Sequence, residues 1–212
     1  MSSVWLRPDR PRRTAPLTRE RIVRAALTLL DEEGAEGLTM RRLAQRLAVT
    51  ATALYWHVET KDDVLDLAVD ELFGEVPLPP ATDDWRADVR TLIRSWRSTM
   101  LAHPWAPALI GRPLIGPNVL ARTEFLQSAL VRGGLRTHTV AVMTRLLANY
   151  VIGAALTETT WRRTTDPTMR AETRRRMESY PTLHATGHLD ETRWPDDDLF
   201  DHGLTAILAT VG

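Results

Sequence analysis

Residues 38–61 read LTMRRLAQRLAVTATALYWHVETK, and their reading decides the fold. Leu43 and Leu47 lie four apart and share one helical face. Thr39 stands where an N-cap belongs, with Arg42 three residues on in place of the glutamate of a capping box. After a tight turn, Thr50 can cap a second short helix whose apolar residues are Ala53, Leu54 and the pair Tyr55-Trp56. Ala44 is small where a crossing helix must come close. Two short helices joined this way form the pattern of a helix-turn-helix, whose second helix enters the DNA major groove.

Outward from this stretch the chain stays helical in pattern. Thr18 opens a helix carrying Ile22, Ala25, Ala26, Leu29 and Leu30 on one face, with Gly34 suited to its C-terminal end. A further helix starts near Lys61-Asp62, carries Val64, Leu65, Ala68, Leu72 and Phe73, and ends by Gly74. The run Pro77-Leu78-Pro79-Pro80 is the expected domain boundary. At the front, residues 1–17 hold Arg7, Pro8, Arg10, Pro11, Arg12, Arg13 and Pro16. Prolines at that spacing exclude a persistent helix. They leave a flexible basic arm, free to follow phosphates or the minor groove, or simply an inert tail.

Beyond the boundary, Asp83 is placed to cap a helix with Trp85, Val89, Leu92, Ile93, Trp96 and Met100, closed by Pro104. Residues 105–113 read as a short, interrupted helix or loop. Pro117 suits the first position of a helix through Arg132, stopped by Gly133-Gly134. Thr137 is placed to cap the longest helix, about 138–163, and Asp166-Pro167 starts another that runs to Tyr180-Pro181. Residues 182–195 read as a polar loop, and Asp197 or Asp198 caps a last helix with Leu199, Phe200, Leu204, Ile207, Leu208 and Val211. No strand pattern and no repeat emerges. The expected fold class is all-α: an N-terminal three-helix domain with a helix-turn-helix, plus a larger helical domain.

Composition narrows the class. With 212 residues, 43% of them hydrophobic, the chain can bury a packed core. No unbroken apolar run approaches 18 residues, so no transmembrane helix is expected. The start MSSVWLRPDRPRR lacks the apolar centre of a secretory signal. The absence of cysteine excludes disulfides and thiolate metal sites and fits a cytoplasmic protein. Net charge is zero, but residues 1–61 hold 11 Lys+Arg against 7 Asp+Glu, and the remainder 16 against 20. A basic front and an acidic rear suit a chain that presents one end to DNA, although drift in composition gives the same asymmetry.

The stretch LAQRLAVTATALYWHVETKDDVL resembles the DNA-binding module of the tetracycline repressor (TetR) family. The resemblance rests on Leu54-Tyr55-Trp56-His57, on Lys61 and Leu65 after it, and on the Thr18–Glu33 helix and Gly37-Leu38-Thr39 before it. It covers residues 18–73; beyond them it lies mainly in layout. It implies a DNA-binding domain over 18–76, its fourth helix linking to the body, and a ligand-binding and dimerisation domain over 81–212. Helices 138–163 and 197–211 would pair with those of a second copy as a four-helix bundle. The implied protein is a homodimeric regulator, by default a repressor, that binds a palindromic double-stranded DNA operator and is released by a small-molecule effector. No cofactor is implied. Physical reasoning points the same way: one helix-turn-helix reads few base pairs, and two heads roughly 34–36 Å apart read a palindrome.

Carried over position by position, the family's DNA-facing residues are Met40, Arg41, Thr50, Ala51, Thr52, Ala53, Tyr55, His57 and Lys61. Arg41 can take a guanine edge bidentately, Thr52 can bond a base or a phosphate, and Ala51 and Ala53 can meet a thymine methyl. Tyr55, His57 and Lys61 are expected on phosphates, and Trp56 in the core. The sequence departs from the family pattern at Ala48, where a turn that needs positive φ favours glycine, and in a recognition helix poor in long polar side chains.

The stretch from Trp85 to Pro113, with Gly111-Arg112-Pro113, resembles the tetracycline-type body. The polar drug contacts do not carry over: their positions hold Pro77, Leu92, Ala108, Gly111, Glu124 and Thr157, and Ala108 cannot ligate a metal. An apolar or aromatic effector is therefore expected, lined by Trp96, Met100, Leu109, Arg112, Glu124 and Asn149; burial of Glu124 or Asn149 would be the telling sign. The competing classes are an enzyme and a partner-binding protein that has lost DNA binding. No catalytic or metal residues are assigned. There is no phosphate loop, G-x-S-x-G or H-E-x-x-H, and His184 and His188, with Asp190 and Glu191 near, lie in a loop context around Gly187. Intact Arg41, Tyr55 and Lys61 argue against lost DNA binding.

Overall fold

Four threonine hydroxyls set the helix starts of the N-terminal region. In the computed structural model, which describes residues 16–110 and 114–211, Thr18 accepts from Arg21 N, Thr39 from Arg42 N, Thr50 from Ala53 N and Thr60 from Asp63 N. They open α1 (Arg19–Gly37), α2 (Met40–Leu47), α3 (Ala51–Tyr55) and α4 (Lys61–Glu75). Each hydroxyl satisfies a backbone N–H that the helix itself leaves without a partner. Thr60 and Asp63 complete a reciprocal capping box. Gly34 does break α1, at φ 70 and ψ −177, but one more turn follows it to Gly37. Ile22, Leu30, Leu43, Leu54, Val64 and Ala68 meet in the core of this head, each no more than 1% exposed. The arm expected over residues 1–17 lies outside the described residues as far as position 15.

The body follows as α5 (Trp85–Ala102), α6 (Ala106–Leu109), α7 (Pro117–Arg132), α8 (Thr137–Thr164), α9 (Pro167–Met177), α10 (Pro181–Thr186) and α11 (Asp196–Ala209). No strand forms among the described residues. Several expected boundaries shift. Asp84, not Asp83, caps α5 by accepting from Ala87 N. Thr137 is the first residue of α8 rather than its cap, and Arg136 at the cap position makes no side-chain cap bond. α9 stops at Met177, because Pro181 opens a separate helix, so residues 182–195 are not all loop. Neither Asp197 nor Asp198 caps α11: Pro195 stands at the cap position, so Asp196, Asp197 and Asp198 all lie in the first turn, where the helix dipole favours acids.

By length and composition α8 could cross a membrane, since an 18-residue window has mean hydropathy 1.5. Its apolar residues divide between two faces: Val140, Met143, Leu147, Val151 and Ala155 are buried in the body, while Val142, Leu146 and Leu156 form an exposed outer stripe.

α4 joins the head to the body through exchanged caps. Gly116, at the cap position of α7, has no side chain to serve. Asp70 of α4 takes that role: its Oδ1 accepts from Asn118 N at 3.0 Å and Val119 N at 3.1 Å. In return Arg122 of α7 donates to Gly74 O at 2.9 Å and Val76 O at 2.7 Å, carbonyls that the end of α4 leaves open. Position 116 must be glycine for this, because a Cβ there would lie 2.1 Å from Asp70 Oδ1. Asp88 does similar work inside the body, accepting from Thr82 N, Thr82 Oγ1 and Arg132. Burial opposes its ionisation, but the Thr82 and Arg132 donors outweigh it and hold the carboxyl below its usual range.

A second tie between body and head is ionic. His103, at the end of α5, places Nδ1 2.7 Å from Asp31 Oδ1 on α1 and Nε2 3.2 Å from Glu75 Oε2 on α4. Trp105 Nε1 donates to the same Asp31 oxygen at 2.7 Å. Desolvation works against the imidazolium, but the hydrogen bond and charge of Asp31, then Glu75, prevail and raise the His103 pKa.

Two outcomes are expected. Asp70→Ala should destabilise the protein by about 1 kcal/mol, a typical loss for a helix cap, and Gly116→Ala should cost less in that background than in the wild type; denaturant melts of the four proteins check both. The raised His103 pKa stabilises fully below its unfolded value of about 6.5 and is lost as pH rises through the higher folded value. Melting temperature should therefore fall more between pH 6 and pH 9 for wild type than for His103→Gln; equal falls would contradict this.

Candidate functional site

α2 and α3 form an exposed corner at one end of the molecule. Leu43, Ala44 and Leu47 of α2 face inward, and the turn at Ala48 carries φ 53 and ψ 42. Among the described residues this is the only non-glycine with positive φ, so the turn does demand the conformation glycine favours. Ala48 N–H bonds back to α2 carbonyls in that pose, which offsets the cost.

Three arginines on α2 have different fates. Arg42 pairs with Glu33 of α1 and donates to Gly37 O. Arg46 pairs with Glu32 at 2.8 Å. Both tie α2 to α1. Arg41 is exposed and makes no hydrogen bond or ion pair among the described residues. It is the long donor left over for an outside acceptor.

Ala51 and Thr52 are exposed in the first turn of α3, with Ala53 and Met40 half-buried beside them. Thr50 spends its lone pair on Ala53 N yet keeps a hydroxyl proton to donate. Tyr55 is 52% exposed, as a phosphate contact requires. Trp56 corrects the sequence reading: it was expected in the core and is 84% exposed. Leu54 and Val58, four apart, take the inward positions at 0% and 4%. Trp56 follows Leu54 by two residues, which turns it about 200° to the opposite side. The corner thus shows two large aromatic rings at the end of its second helix. His57 is half-buried, and Lys61, at the start of α4, donates Nζ to Ala35 O at 2.9 Å. Lys61 therefore also holds α4 to the kinked end of α1, with two of its three protons still available.

The six residues picked for an effector do not share one site. Met100 is fully buried, and Trp96 and Leu109 pack against the same core. Trp96 sits edge-on to Phe73 at 5.1 Å, and its buried Nε1 has no partner among the described residues. Glu124 is exposed and accepts from Ser128, so the expected sign of burial fails there and at exposed Asn149. Arg112 lies outside the described residues. Asn149 does line a cleft of about 490 Å³ between α8, α11 and the segment before α11, together with Tyr150, Trp161, Trp194 and Phe200.

Arg97 and Glu158, 8% and 7% exposed, form the cleft's charged floor. Arg97 donates to Glu158 Oε2 and to Asp197 Oδ1, both at 2.6 Å, and its guanidinium lies 4.7 Å from the Phe200 ring centre. Burial disfavours the charged guanidinium, but Asp197 and Glu158 overcome it and raise its pKa. The sequence held one signal of this floor: Glu158 continues the inward stripe of Val151 and Ala155. Its partner, 61 positions away, had no local mark.

His184 and His188 do not share a helical face, because Gly187 ends α10 between them at φ 57. Asp190 accepts from Thr192, and Glu191 from Trp161 and Arg170. Among the described residues no three His, Cys, Asp or Glu side chains are grouped to hold a metal ion.

Comparison with known proteins adds an independent view. The family described as "Bacterial regulatory proteins, tetR family" matches residues 22–68. "Tetracyclin repressor-like, C-terminal domain" matches residues 76–211. An HTH-type transcriptional regulator of Saccharopolyspora erythraea is 44% identical, over 98% of this chain and 90% of that protein. The HTH-type transcriptional repressor DrrR1 of Streptomyces coeruleorubidus is 31% identical, over 97% of this chain and 82% of its own. Among solved structures, ActR of Streptomyces coelicolor in complex with actinorhodin superposes with TM-score 0.82 at 34% identity, covering 93% of this chain and 97% of that one.

The contrast among the α2 arginines carries a test. Arg41→Ala should reduce discrimination between duplexes by about 1–3 kcal/mol, the worth of a bidentate base contact. Lys61→Ala should weaken all duplexes alike and lower the melting temperature slightly, because it also loses the Ala35 bond. Anisotropy titrations on a duplex panel separate the two; a Lys61→Ala change confined to sequence preference would refute its assigned role.

Proposed function

The chain belongs to the TetR family of bacterial transcriptional regulators, and from that premise we propose that it is a repressor, homodimeric on a palindromic operator and released by a small-molecule effector. Members of this family are DNA-binding regulators rather than enzymes, and they act as dimers that bind operators and small molecules. The single observation that carries the reading for this chain is Arg41, exposed and unpaired among the described residues, beside two arginines that are each held by a glutamate.

The DNA-contacting set we propose is Met40, Arg41, Thr50, Ala51, Thr52, Ala53, Tyr55, His57 and Lys61, with Trp56 added on the strength of its exposure. The head spans residues 18–76 and the body 81–212, divided at the 77–80 proline run. Val142, Leu146 and Leu156 of α8 and Leu199 of α11 are exposed apolar residues on neighbouring helices, and a second copy would cover them. The relative DrrR1 is named a repressor, which supports the repressor reading, and ActR is solved with actinorhodin bound, which supports a small-molecule effector. A DNA-binding regulator of this family would act in the cytoplasm, where the operator is.

The mechanism follows from linkage. An effector releases the operator only if it prefers the conformation whose two heads no longer match the half-sites. The exchanged caps between α4 and α7 supply the connection: displacement of α7 carries Asp70, and hence α4 and the head, with it.

Sedimentation at micromolar concentration should give a dimer, and ligand-free dimer should select palindromic duplexes from a panel. Binding should weaken steeply between two salt concentrations, since each neutralised phosphate contributes a log–log slope of about −0.9. A clean monomer, or a dimer without sequence preference, would overturn the proposal.

A further inference from the structure

We infer that the groove between α1 and α2, lined by Arg21, Arg24 and Arg46, grips the sugar–phosphate backbone of DNA beside the reading helix. The inference rests on the DNA-binding reading above and adds to it a contact surface on α1, outside the set proposed on α2, α3 and the start of α4.

The cations of the head are unevenly placed. Residues 16–30 hold 3 Lys+Arg against 1 Asp+Glu, while residues 31–76 hold 4 against 11. DNA that approaches such a head is repelled over most of it and attracted where the arginines gather. They gather at a groove of about 410 Å³, lined by Arg21, Arg24, Ala25, Thr28 and Arg46, with no carboxylate in its lining.

The carboxylates nearest the groove are engaged. Glu32 holds Arg46 through both terminal nitrogens, at 2.8 and 2.9 Å, and Glu33 holds Arg42. Asp31 is taken by His103 and Trp105 of the body, and Glu36 lies beyond the break at Gly34. The Thr18 hydroxyl and its own amide, then the charges of Arg19 and Arg24, hold the Glu20 carboxyl below its usual range. Arg19, Arg21, Arg24, Arg42 and Arg46 thus meet Glu20, Glu32 and Glu33, and two positive charges are left over.

Arg24 carries the site. It is exposed and bonds only Glu20 O, through Nε at 3.4 Å; its two terminal nitrogens make no hydrogen bond or ion pair among the described residues. Those nitrogens form a planar fork that fits two oxygens of one phosphate. Arg21 donates to Pro16 O at 2.8 Å, which fixes the entry to α1 at the groove. The sequence before that entry holds Arg7, Arg10, Arg12 and Arg13 against Asp9 alone.

The groove borders the proposed contact set on two sides. Arg46 stands in the last turn of α2, four residues before Thr50, whose hydroxyl caps α3. The amides of Glu59 and Thr60, and after them the charge of Arg19, lower the Asp63 pKa, so the start of α1 lies within reach of the first turn of α4, where Lys61 stands. The first helix of a helix-turn-helix crosses the DNA backbone. Phosphates that pass α2 therefore meet Arg24 and Arg21 alongside it.

The test uses the full chain and the tightest duplex of the palindromic panel, titrated by anisotropy across a salt series. Arg24→Gln should weaken every duplex alike and reduce the log–log salt slope by about 1.8, for two lost phosphate contacts per dimer. Arg24→Lys keeps the charge and should restore most of the slope. Arg136→Gln, which removes an exposed arginine before α8, controls for net charge and should leave the slope as in wild type. The melting temperature of Arg24→Gln should match wild type, which separates lost contact from lost structure. An unchanged slope in Arg24→Gln, an equal drop in Arg136→Gln, or an effect confined to particular sequences would each overturn the inference. Wild type without duplex selectivity would sink the DNA-binding reading itself; selective wild type beside an unaffected Arg24→Gln would sink only the groove.

Discussion

α4 cannot move without α7, and the rest of the molecule depends on that constraint. Asp70 supplies the N-terminal cap that Gly116 leaves open, and Arg122 supplies the acceptors' partner that the end of α4 needs. Each helix closes an end of the other. Both ends would carry unsatisfied backbone groups if the helices separated. The head hangs on α4 through Val64, Leu65 and Ala68, so its orientation is referred to the body. His103 and Trp105, both on Asp31, brace the same junction from the far side of α1.

Within the head, charge is sorted by geometry rather than abundance. The described part of the head is net acidic, with 7 Lys+Arg against 12 Asp+Glu over residues 16–76, and two of the three arginines on α2 are held by glutamates of α1. What remains outward is Arg41, a few small residues of α3, and two aromatic rings. Such a surface reads DNA with few long donors. More of its affinity must come from phosphates and from the paired head of a dimer. The body sorts its charge the same way: buried Arg97 and Glu158 neutralise each other.

Local pattern made the head largely legible. Threonine caps at 18, 39 and 50, the inward leucines and the positive φ at Ala48 all follow from short-range rules, and the structure agrees with each. Trp56 did not follow, because a run of Leu-Tyr-Trp looks uniformly apolar, and only the length and facing of a five-residue helix decide which ring turns outward. The body was legible as helices but not as a site. Of the residues picked for the effector, Trp96, Met100 and Leu109 carried the apolar stripe of an ordinary core, and that is where they lie.

The amino-acid sequence by itself determined the all-helical class and the helix-turn-helix, because periodicity, caps and breakers act within a few residues of one another. Tertiary structure alone decided that Asp70 caps a helix through amides 48 and 49 residues away, that Arg41 stays unpaired among the described residues while Arg42 and Arg46 pair, and that Glu158 meets Arg97. These outcomes depend on which distant side chains arrive at the same place in three dimensions. No local pattern encodes that, since a carboxylate looks the same in sequence whether it faces water, a helix end or a buried guanidinium.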